Sequence, residues 1–272
     1  MDATESHARL QLALTPYIGP VTFFRLLAHF GSATRVLQAD PASLLPLLER
    51  SAALNHLHGS ATEQALQATL AWQQQPNCHV LVAGDSRLPN SLHEGTTAPA
   101  VLFARGDIGL LQGPMVAMVG SRHATPAAEQ TAEAFARELA QRGIVVISGL
   151  AAGIDAAAHR GALAATGATI AVLGTGIDRV YPAHNRELAH QVAAHGLLLS
   201  EFALGTPPNA VNFPRRNRII AALAEATLVV EATLESGSLI TAHLAAEMGR
   251  EGMAIPGSIH NPHSKGRHLL IK

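Results

Sequence analysis

A cluster of anion-binding residue types lies near the end of the sequence. The segment Phe-Pro-Arg-Arg-Asn-Arg at 213–218 places Arg216, Asn217 and Arg218 together, and their side chains donate planar hydrogen bonds that suit phosphate. Ser-Gly-Ser at 236–238 is typical of a helix start, where backbone amides point at the same charge. Because no nucleophile and base accompany these groups, the pattern predicts phosphate binding without bond cleavage.

Composition limits how such a site could work. The 272-residue chain is 48% hydrophobic, with a mean hydropathy of +0.19, so it can bury a large core and form more than one domain. Nineteen basic and twenty acidic residues give a net charge of -1, which excludes a global positive field. Contact with nucleic acid therefore has to come from a local patch.

Several classes of protein are disfavoured by what the sequence lacks. One cysteine, Cys78, excludes an internal disulfide framework and a cysteine-based zinc cluster. No HExxH or similar ligand spacing is present, and we expect neither a metal nor a cofactor. The N-terminus lacks a leader pattern, and no eighteen apolar residues run together, so we expect a soluble cytoplasmic protein without membrane contact.

The first 74 residues have a helical pattern. Apolar residues at helical spacing predict helices on either side of the turn at 17–20, and the second closes at Gly31. Asp40-Pro41 indicates another helix start, and an amphipathic helix is expected at about 60–74. We expect a small all-helical domain over 1–74.

Residues 75–272 alternate between strands and alanine-rich helices. This alternation predicts an α/β domain with a doubly wound, mainly parallel sheet, whose functional residues collect beyond the carboxyl ends of the strands. The expected strands are 78–83, 100–104, 115–119, 144–148, 168–173, 197–201, 226–231 and 252–255.

The end of the third strand runs into Gly120, Ser121 and Arg122, and Thr125-Pro126 then opens a helix. A glycine permits close approach of a phosphate, which the hydroxyl, the guanidinium and the helix dipole would attract. The alternative is an ordinary strand-to-helix turn.

The fourth strand leads into Ser148, Gly149 and, further on, Asp155, which is four residues before His159 on a predicted helix. The pair fits either a general base or an aspartate that caps or orients a histidine. Gly174-Thr175-Gly176 follows the next strand but lacks the third glycine of a dinucleotide fingerprint.

Taken in order, these strings resemble the DNA-processing protein A (DprA/Smf) family over about residues 78–271. The motifs are Gly120-Ser121-Arg122, the segments at 148–155, 174–176 and 181–185, Ser200-Glu201, the block at 213–220, the segment at 236–242 and Ile255-Pro256-Gly257-Ser258. The resemblance implies an extended Rossmann-like core that dimerises and binds single-stranded DNA without cutting it. It also implies a role in natural transformation: protecting incoming strands and loading the RecA recombinase for recombination.

The resemblance places the DNA pocket on residues that the motifs carry. For Phe213, base stacking competes with a role as a core anchor of its helix. For Arg218, phosphate binding competes with a buried ion pair to Glu201, Glu225 or Glu231. The expected DNA-binding residues are Gly120, Ser121, Arg122, Ser148, Gly149, Asn185, Phe213, Arg216, Asn217, Arg218, Ser236, Gly237 and Ser238.

Other features concern departures from the family and the N-terminal domain. Ala152 stands where many relatives carry a basic residue, and the chain stops at residue 272, where relatives often continue into a winged-helix domain. The first 74 residues are similar to a sterile-alpha-motif-type domain, and residues 17–21 resemble a helix-hairpin-helix turn. A scaffold or protein-docking role is favoured there over DNA contact, because Arg25 and Arg35 are the only nearby basic residues.

Two functional classes follow. The first is a non-enzymatic single-strand-binding module, and the second is a nucleotide-processing enzyme similar to the lysine-decarboxylase-like phosphoribohydrolases. In the enzyme, Asp155 or Glu235 would be the acid-base carboxylate, but the Pro-Gly-Gly-x-Gly-Thr loop of those enzymes is absent. The sequence therefore favours the binding module.

Overall fold

The structure, a computed structural model, describes residues 1–92, 98–234, 236–257 and 266. The predictions made for Glu235, for Ser258 and for the chain end at 267–272 lie outside the described residues. The chain forms two compact units, Met1–Phe103 and Ala104–Lys272. The boundary expected at residue 74 marks the change from helices to strands, and we retain it as a proposal.

The first unit begins with helices and confirms the helical prediction for this part of the chain. The helices are followed by strands β1 (Cys78–Val82) and β2 (Val101–Gly106), the second of which extends past the unit boundary. The helices are α1 (Ala3–Leu14), α2 (Pro20–Phe30), α3 (Ala33–Gln38), α4 (Pro41–Leu44), α5 (Ala53–Leu57) and α6 (Ser60–Gln73).

Local chemistry accounts for the ends of these helices. Asp2 caps α1 by accepting from the amide of Glu5, and α2 ends at Gly31, whose left-handed φ of 81° suits glycine. The Glu5 carboxylate also accepts the amides of Ala33 and Thr34 at the start of α3. Burial raises the pKa of Glu5, but hydrogen bonds from Arg9 and α3 outweigh burial and lower the pKa to about 2.

The second unit alternates strands and helices as the sequence predicts. In chain order the elements are β3 (Met115–Gly120), α7 (Pro126–Gln141), β4 (Val145–Ser148), α8 (Ile154–Leu163), β5 (Thr169–Val172), α9 (Arg186–His195), β6 (Leu197–Ser200), α10 (Asn212–Leu223), β7 (Ala226–Glu231), α11 (Ser238–Glu247) and β8 (Glu251–Ala254).

The eight strands form one sheet in the order β1-β2-β6-β5-β4-β3-β7-β8. Strand β3 pairs in parallel with both β4 and β7, and the pairs β4–β5, β5–β6 and β7–β8 are also parallel. The chain proceeds from β3 in one direction through β4 to β6, and β7 then lies on the other side of β3. This reversal leaves a crevice at the carboxyl end of β3, where ligands of doubly wound sheets bind.

The helices cover the sheet with small side chains. On α7, Ala128, Ala132, Ala136 and Ala140 form a buried stripe at four-residue spacing, which packs in one cluster with the buried alanines of α8. Alanine permits close approach of helix to helix, so α7 and α8 hold a fixed position beside β3 and β4. No helix in the described ranges combines the length and apolar character that a membrane crossing requires.

Candidate nucleic-acid interface

A cleft of about 420 Å³ opens at the carboxyl end of β3, between α10 and the start of α11. Nine of the thirteen residues expected at the DNA site line this cleft, although they come from three separate segments of the chain. They are Gly120, Ser121, Arg122, Phe213, Arg216, Asn217, Ser236, Gly237 and Ser238. Ser148, Gly149, Asn185 and Arg218 are not among its lining residues.

The loop after β3 is held by backbone bonds to the end of β7 and to the first residue of α8. The Ser121 amide donates to the Glu231 carbonyl at 2.7 Å, and the Ser121 carbonyl accepts the amide of Ile154 at 3.2 Å. The buried Glu231 carboxylate accepts the amide and hydroxyl of Thr125, which caps α7. Arg122 lies between these fixed points with its side chain exposed.

Arg122, Phe213 and Tyr181 form the rim of the cleft. The guanidinium carbon of Arg122 lies 5.6 Å from the centre of the Phe213 ring, and the Tyr181 ring lies 5.5 Å from Phe213 at an interplanar angle of 37°. Both distances suit stacking and cation–π contact. A second hollow of about 360 Å³ adjoins the rim, lined by Arg122, Tyr181, Pro208, Ala210, Phe213 and Pro214.

Phe213 combines the two roles that the sequence left open. A Cβ atom at Gly174 would lie 2.6 Å from the Phe213 ring, so glycine there lets the ring pack directly on the backbone. The ring is nevertheless only half-buried and lines both hollows. It is therefore anchored to the strand end and available at the rim.

Arg216 has a different position from the one we expected. It is 5% exposed, and its guanidinium donates to the carbonyls of Gly149 (2.7 Å) and Val172 and to the Asn217 side chain (3.1 Å). Burial lowers its pKa to about 10, against the attraction of Asp155. The expectation that Arg216 donates to phosphate stays a prediction: the residue lines the cleft, but the bonds from its Nε and Nη1 are made to the protein itself.

Asp155 and Asn185 hold the same loop. Asp155 accepts the amides of Gly149 (3.1 Å) and Ala151 (3.3 Å), and Asn185 donates to the carbonyls of Leu150 (3.0 Å) and Ala151 (3.2 Å). Leu150 has a φ of 59°, a conformation that persists only where its surroundings enforce it. We call Asp155, Asn185 and Arg216 the loop-holding network, and Asn185 is thus a buried tether and not a phosphate donor.

Ser148, Gly149 and Arg218 also differ from expectation. The buried Ser148 hydroxyl donates to the Met118 carbonyl at 2.6 Å, and a Cβ atom at Gly149 would lie 2.5 Å from the Arg216 guanidinium. Both Ser148 and Gly149 are buried and support the loop from behind the cleft, so neither presents a donor to a phosphate. Arg218 donates to both carboxylate oxygens of Glu201 at 2.5 Å.

The Arg218–Glu201 bond is the buried ion pair that was the alternative to phosphate binding for Arg218. Burial raises the pKa of Glu201 and lowers the pKa of Arg218, and their mutual attraction opposes both shifts. Because the Arg218 charge is paired with Glu201, its attraction for a phosphate is reduced.

The Asp155–His159 pair is not a general-base pair in this geometry. His159 is fully buried, and its Nδ1 lies 2.8 Å from the Thr169 hydroxyl, which itself donates to the Val146 carbonyl. Nδ1 therefore carries the proton, because the single hydrogen of Thr169 is already used. Burial, and then the nearby Arg216 charge, lower the pKa of His159 to about 3, while burial raises the pKa of Asp155.

The start of α11 provides hydroxyls and amides at the cleft. The Ser236 and Ser238 hydroxyls lie 2.7 Å apart and share a hydrogen bond. Three of the backbone amides at this helix start are bonded within the protein: those of Ser236 and Leu239 donate to the carbonyls of Thr233 and Ser236, and the Ser238 amide donates to the Ser236 hydroxyl at 3.4 Å. Asn217 contacts the Gly237 carbonyl at 3.5 Å. The site at α11 is thus built from side-chain hydroxyls more than from amides.

Sequence reasoning missed two exposed residues beside the cleft and one buried within it. Tyr181 extends the rim, and the exposed Arg215 lies with its guanidinium carbon 5.8 Å from the Phe202 ring. Thr241 lines the cleft one turn into α11. The expected block at 213–220 contained Arg215, but the residue was not among the expected DNA-binding residues. No three His, Cys, Asp or Glu side chains converge in the described part of the chain.

Comparison with known proteins identifies the family. A family model described as DNA recombination-mediator protein A matches residues 79–272, and a model described as a DprA-like N-terminal HHH domain matches residues 3–68. The chain belongs to the DNA recombination-mediator protein A family. The resemblance drawn from the motifs is confirmed, and the helical part of the first unit, over residues 3–68, matches the HHH domain of this family.

Curated relatives share substantial identity with the chain. It is 45% identical to Protein Smf of Escherichia coli over 214 residues, which cover 78% of this chain and 57% of that protein. It is 44% identical to DNA processing protein DprA of Streptococcus pneumoniae over 74% of this chain and 70% of that one. The chain spans about 57 to 62% of the length of the Smf proteins of E. coli and Synechocystis.

Solved structures agree in fold. The X-ray structure of S. pneumoniae DNA processing protein A matches with a TM-score of 0.81 and 34% identity, covering 99% of this chain and 92% of that one. DNA processing protein A of Helicobacter pylori, whose structure addresses its single-stranded DNA binding mode, matches with a TM-score of 0.65 and 31% identity over 71% and 86% of the two chains.

Proposed function

We propose that this protein binds single-stranded DNA at the cleft and its rim, without cleaving it. The observation that carries the proposal is the Arg122 guanidinium stacked at 5.6 Å over a half-buried Phe213. The Arg122 guanidinium can therefore bind a phosphate while the Phe213 ring packs on a base. The distance between the two groups suits the phosphate and the base of one nucleotide. The single-strand binding of the H. pylori relative supports the proposal.

The rim suits an unpaired strand better than a duplex. Bases stacked in a duplex have no free face, whereas an unpaired base can pack on Phe213 and Tyr181, with a gain of about 1 to 3 kcal/mol per base. Stacking is sequence-tolerant because every base has a π face. We therefore expect weak sequence preference and strong salt dependence.

The direct test is fluorescence anisotropy with labelled single and double strands of one sequence across a salt series. We expect tighter binding of the single strand. Arg122→Ala should reduce the salt slope by about 0.7, the value for one phosphate contact on a single strand. Arg142→Ala removes an equal charge from an exposed ion pair with Glu138 at the end of α7 and is the matched control. Equal losses in the two variants would contradict the assignment.

We propose that the protein has no catalytic activity on nucleotides. The Asp155 carboxylate, one of the two candidates for an acid-base group, accepts the amides of Gly149 and Ala151 and serves the loop. The test is incubation with nucleoside monophosphates and measurement of released base. We expect none, and turnover would restore the phosphoribohydrolase alternative.

We propose further that the protein acts as a cytoplasmic homodimer in natural transformation, where it protects incoming strands and loads RecA for recombination. The description of the matched family as a recombination mediator supports this role. Sedimentation at several concentrations tests the dimer, and RecA filament formation on single strands with and without the protein tests the loading. A monomer, or unchanged filament formation, would contradict the respective part.

A further inference from the structure

Thr241 on α11 has a hydroxyl without a hydrogen-bond partner in the described part of the chain. The residue is 1% exposed and lines the cleft. A threonine inside a helix commonly donates to the carbonyl four residues earlier, which here belongs to Gly237. That carbonyl instead accepts from Ile240 and Asn217. The buried Thr241 hydroxyl is therefore without a partner among the described residues, and its residue lines the cleft.

This combination sets Thr241 apart from the other orphaned groups. The described residues contain four more buried polar atoms without partners, on Thr22, His159, Thr227 and Arg250. None of those four residues lines the cleft. Thr241 is therefore the member of this set that lies at the cleft.

Further donors surround the same point. Thr241 follows Ser238 by three residues, which places the two side chains on one face of α11, about 5 to 6 Å apart. The Ser236 and Ser238 hydroxyls share one hydrogen bond, so one of their two hydrogens stays available. The N-terminus of the ten-residue α11 adds roughly half a positive charge, and the Arg122 cation lines the same cleft.

We propose that the pocket formed by Ser236, Gly237, Ser238 and Thr241, the α11 pocket, binds a phosphomonoester, namely the terminal phosphate of a DNA strand. A monoester has three terminal oxygens and a charge of about -1.5 to -2, whereas a phosphate within a strand has two such oxygens and one charge. Hydroxyls from two turns of α11 together with Arg122 suit the monoester. The inference rests on the proposed single-strand binding, since the strand carries the phosphate to the cleft.

The test compares one oligonucleotide in three forms: without a terminal phosphate, with a 5′-phosphate and with a 3′-phosphate. We expect one of the phosphorylated forms to bind the full chain about tenfold more tightly than the unphosphorylated form, in line with one added charge-assisted contact. A nucleoside monophosphate should compete with that form and leave binding of the unphosphorylated strand unchanged. These measurements use the unmodified protein and do not depend on the folding of a variant.

Thr241→Val tests the residue, because valine has the shape of threonine without the hydroxyl. We expect this variant to lose the tenfold preference, so that it binds the phosphorylated and unphosphorylated strands with equal affinity. Thr241→Ser restores a hydroxyl and should restore the preference. Persistence of the preference in Thr241→Val would overturn the role of Thr241.

The same experiment separates this inference from the proposed function. Equal binding of all three forms by the unmodified protein would overturn the phosphomonoester pocket and leave single-strand binding intact. Failure of every single strand to bind at low salt would overturn both.

Discussion

The rim and the loop-holding network lie at the same cleft and use similar side chains in opposite ways. At the rim, Arg122 is exposed and stacks on an aromatic ring. In the network, Arg216 is buried and donates to the backbone carbonyls of Gly149 and Val172. An arginine in the sequence therefore indicates only that a hydrogen-bond acceptor is near. Whether that acceptor belongs to a ligand or to the protein depends on whether the guanidinium is exposed or buried.

Helix α10 shows why the two kinds of arginine occur side by side. Arg216, Ile219, Ile220 and Leu223 share one face at spacings of three, four and seven, and all four are buried. Arg215 precedes this face by about 100° and is exposed. The apolar partners of Arg216 are the signal that could have identified it as an inward-facing residue.

The largest expected effect comes from removing the network's arginine. Arg216→Ala leaves two buried carbonyls and the Asp155 charge without their partner, so we expect the free energy of unfolding to fall by about 3 to 5 kcal/mol. Urea unfolding followed by circular dichroism measures this loss. A variant that keeps full stability and loses only DNA affinity would place Arg216 with the rim.

The next effect concerns the ring at the rim. Phe213→Ala should weaken single-strand binding by about 1 to 3 kcal/mol, because the base loses its stacking surface. Phe213→Tyr keeps the ring and should bind normally. Phe135→Ala removes an exposed phenylalanine on α7 and is the control. Anisotropy titration measures all three, and equal loss for the two alanine variants would contradict a specific rim.

The pH dependence of stability distinguishes the buried His159 from the exposed residues of the rim. In the unfolded chain His159 gains a proton below about pH 6.5, whereas in the folded protein it does so only near pH 3. The unfolded state thus binds the extra proton between these values, and stability falls as pH decreases, by about 2 kcal/mol at pH 5.

His159→Gln removes this contribution, so its stability should vary less with pH between 6.5 and 3 than that of the parent protein. The raised pKa of Asp155 acts in the opposite direction in acid and is common to both proteins. Denaturant midpoints at a series of pH values make the comparison. Parallel pH profiles would show that His159 is not the buried neutral histidine described here.

The smallest expected effect is a gain. Ala152 follows the cleft residue Ala151, and the Cβ position of the next residue, Gly153, lies 3.0 Å from the Arg122 backbone. Ala152→Lys should add one phosphate contact, which raises affinity a few-fold at low salt and steepens the salt slope by about 0.7. Ala194→Lys, an exposed position on α9, is the equal-charge control.

The fold could be predicted from the sequence because its elements carry strong local patterns. The expected strand at 226–231 has those bounds in the structure, and the other strands differ by one or two residues at an end. The proline after Thr125 indicated the start of α7. Apolar runs of this length between alanine-rich helices permit few other arrangements.

The site could be predicted only in part, since its side chains depend on contacts distant in the sequence. Functional residues of a doubly wound sheet collect beyond the carboxyl ends of its strands. This rule correctly predicted that residues as far apart in the sequence as Arg122 and Ser238 lie at one site. It could not choose Glu201 over Glu225 or Glu231 as the partner of Arg218, nor show that Asn185 tethers Leu150. Such pairings are set by packing, and nothing in the local pattern encodes them.

Photocrosslinking tests the central claim most directly. A single strand in which a 5-halogenated uracil replaces a thymine is irradiated on the protein, and mass spectrometry then reports which side chain lies against the base. The account predicts adducts at Phe213 or Tyr181. Adducts confined to Tyr17, an aromatic of the first unit that is 49% exposed, would contradict it.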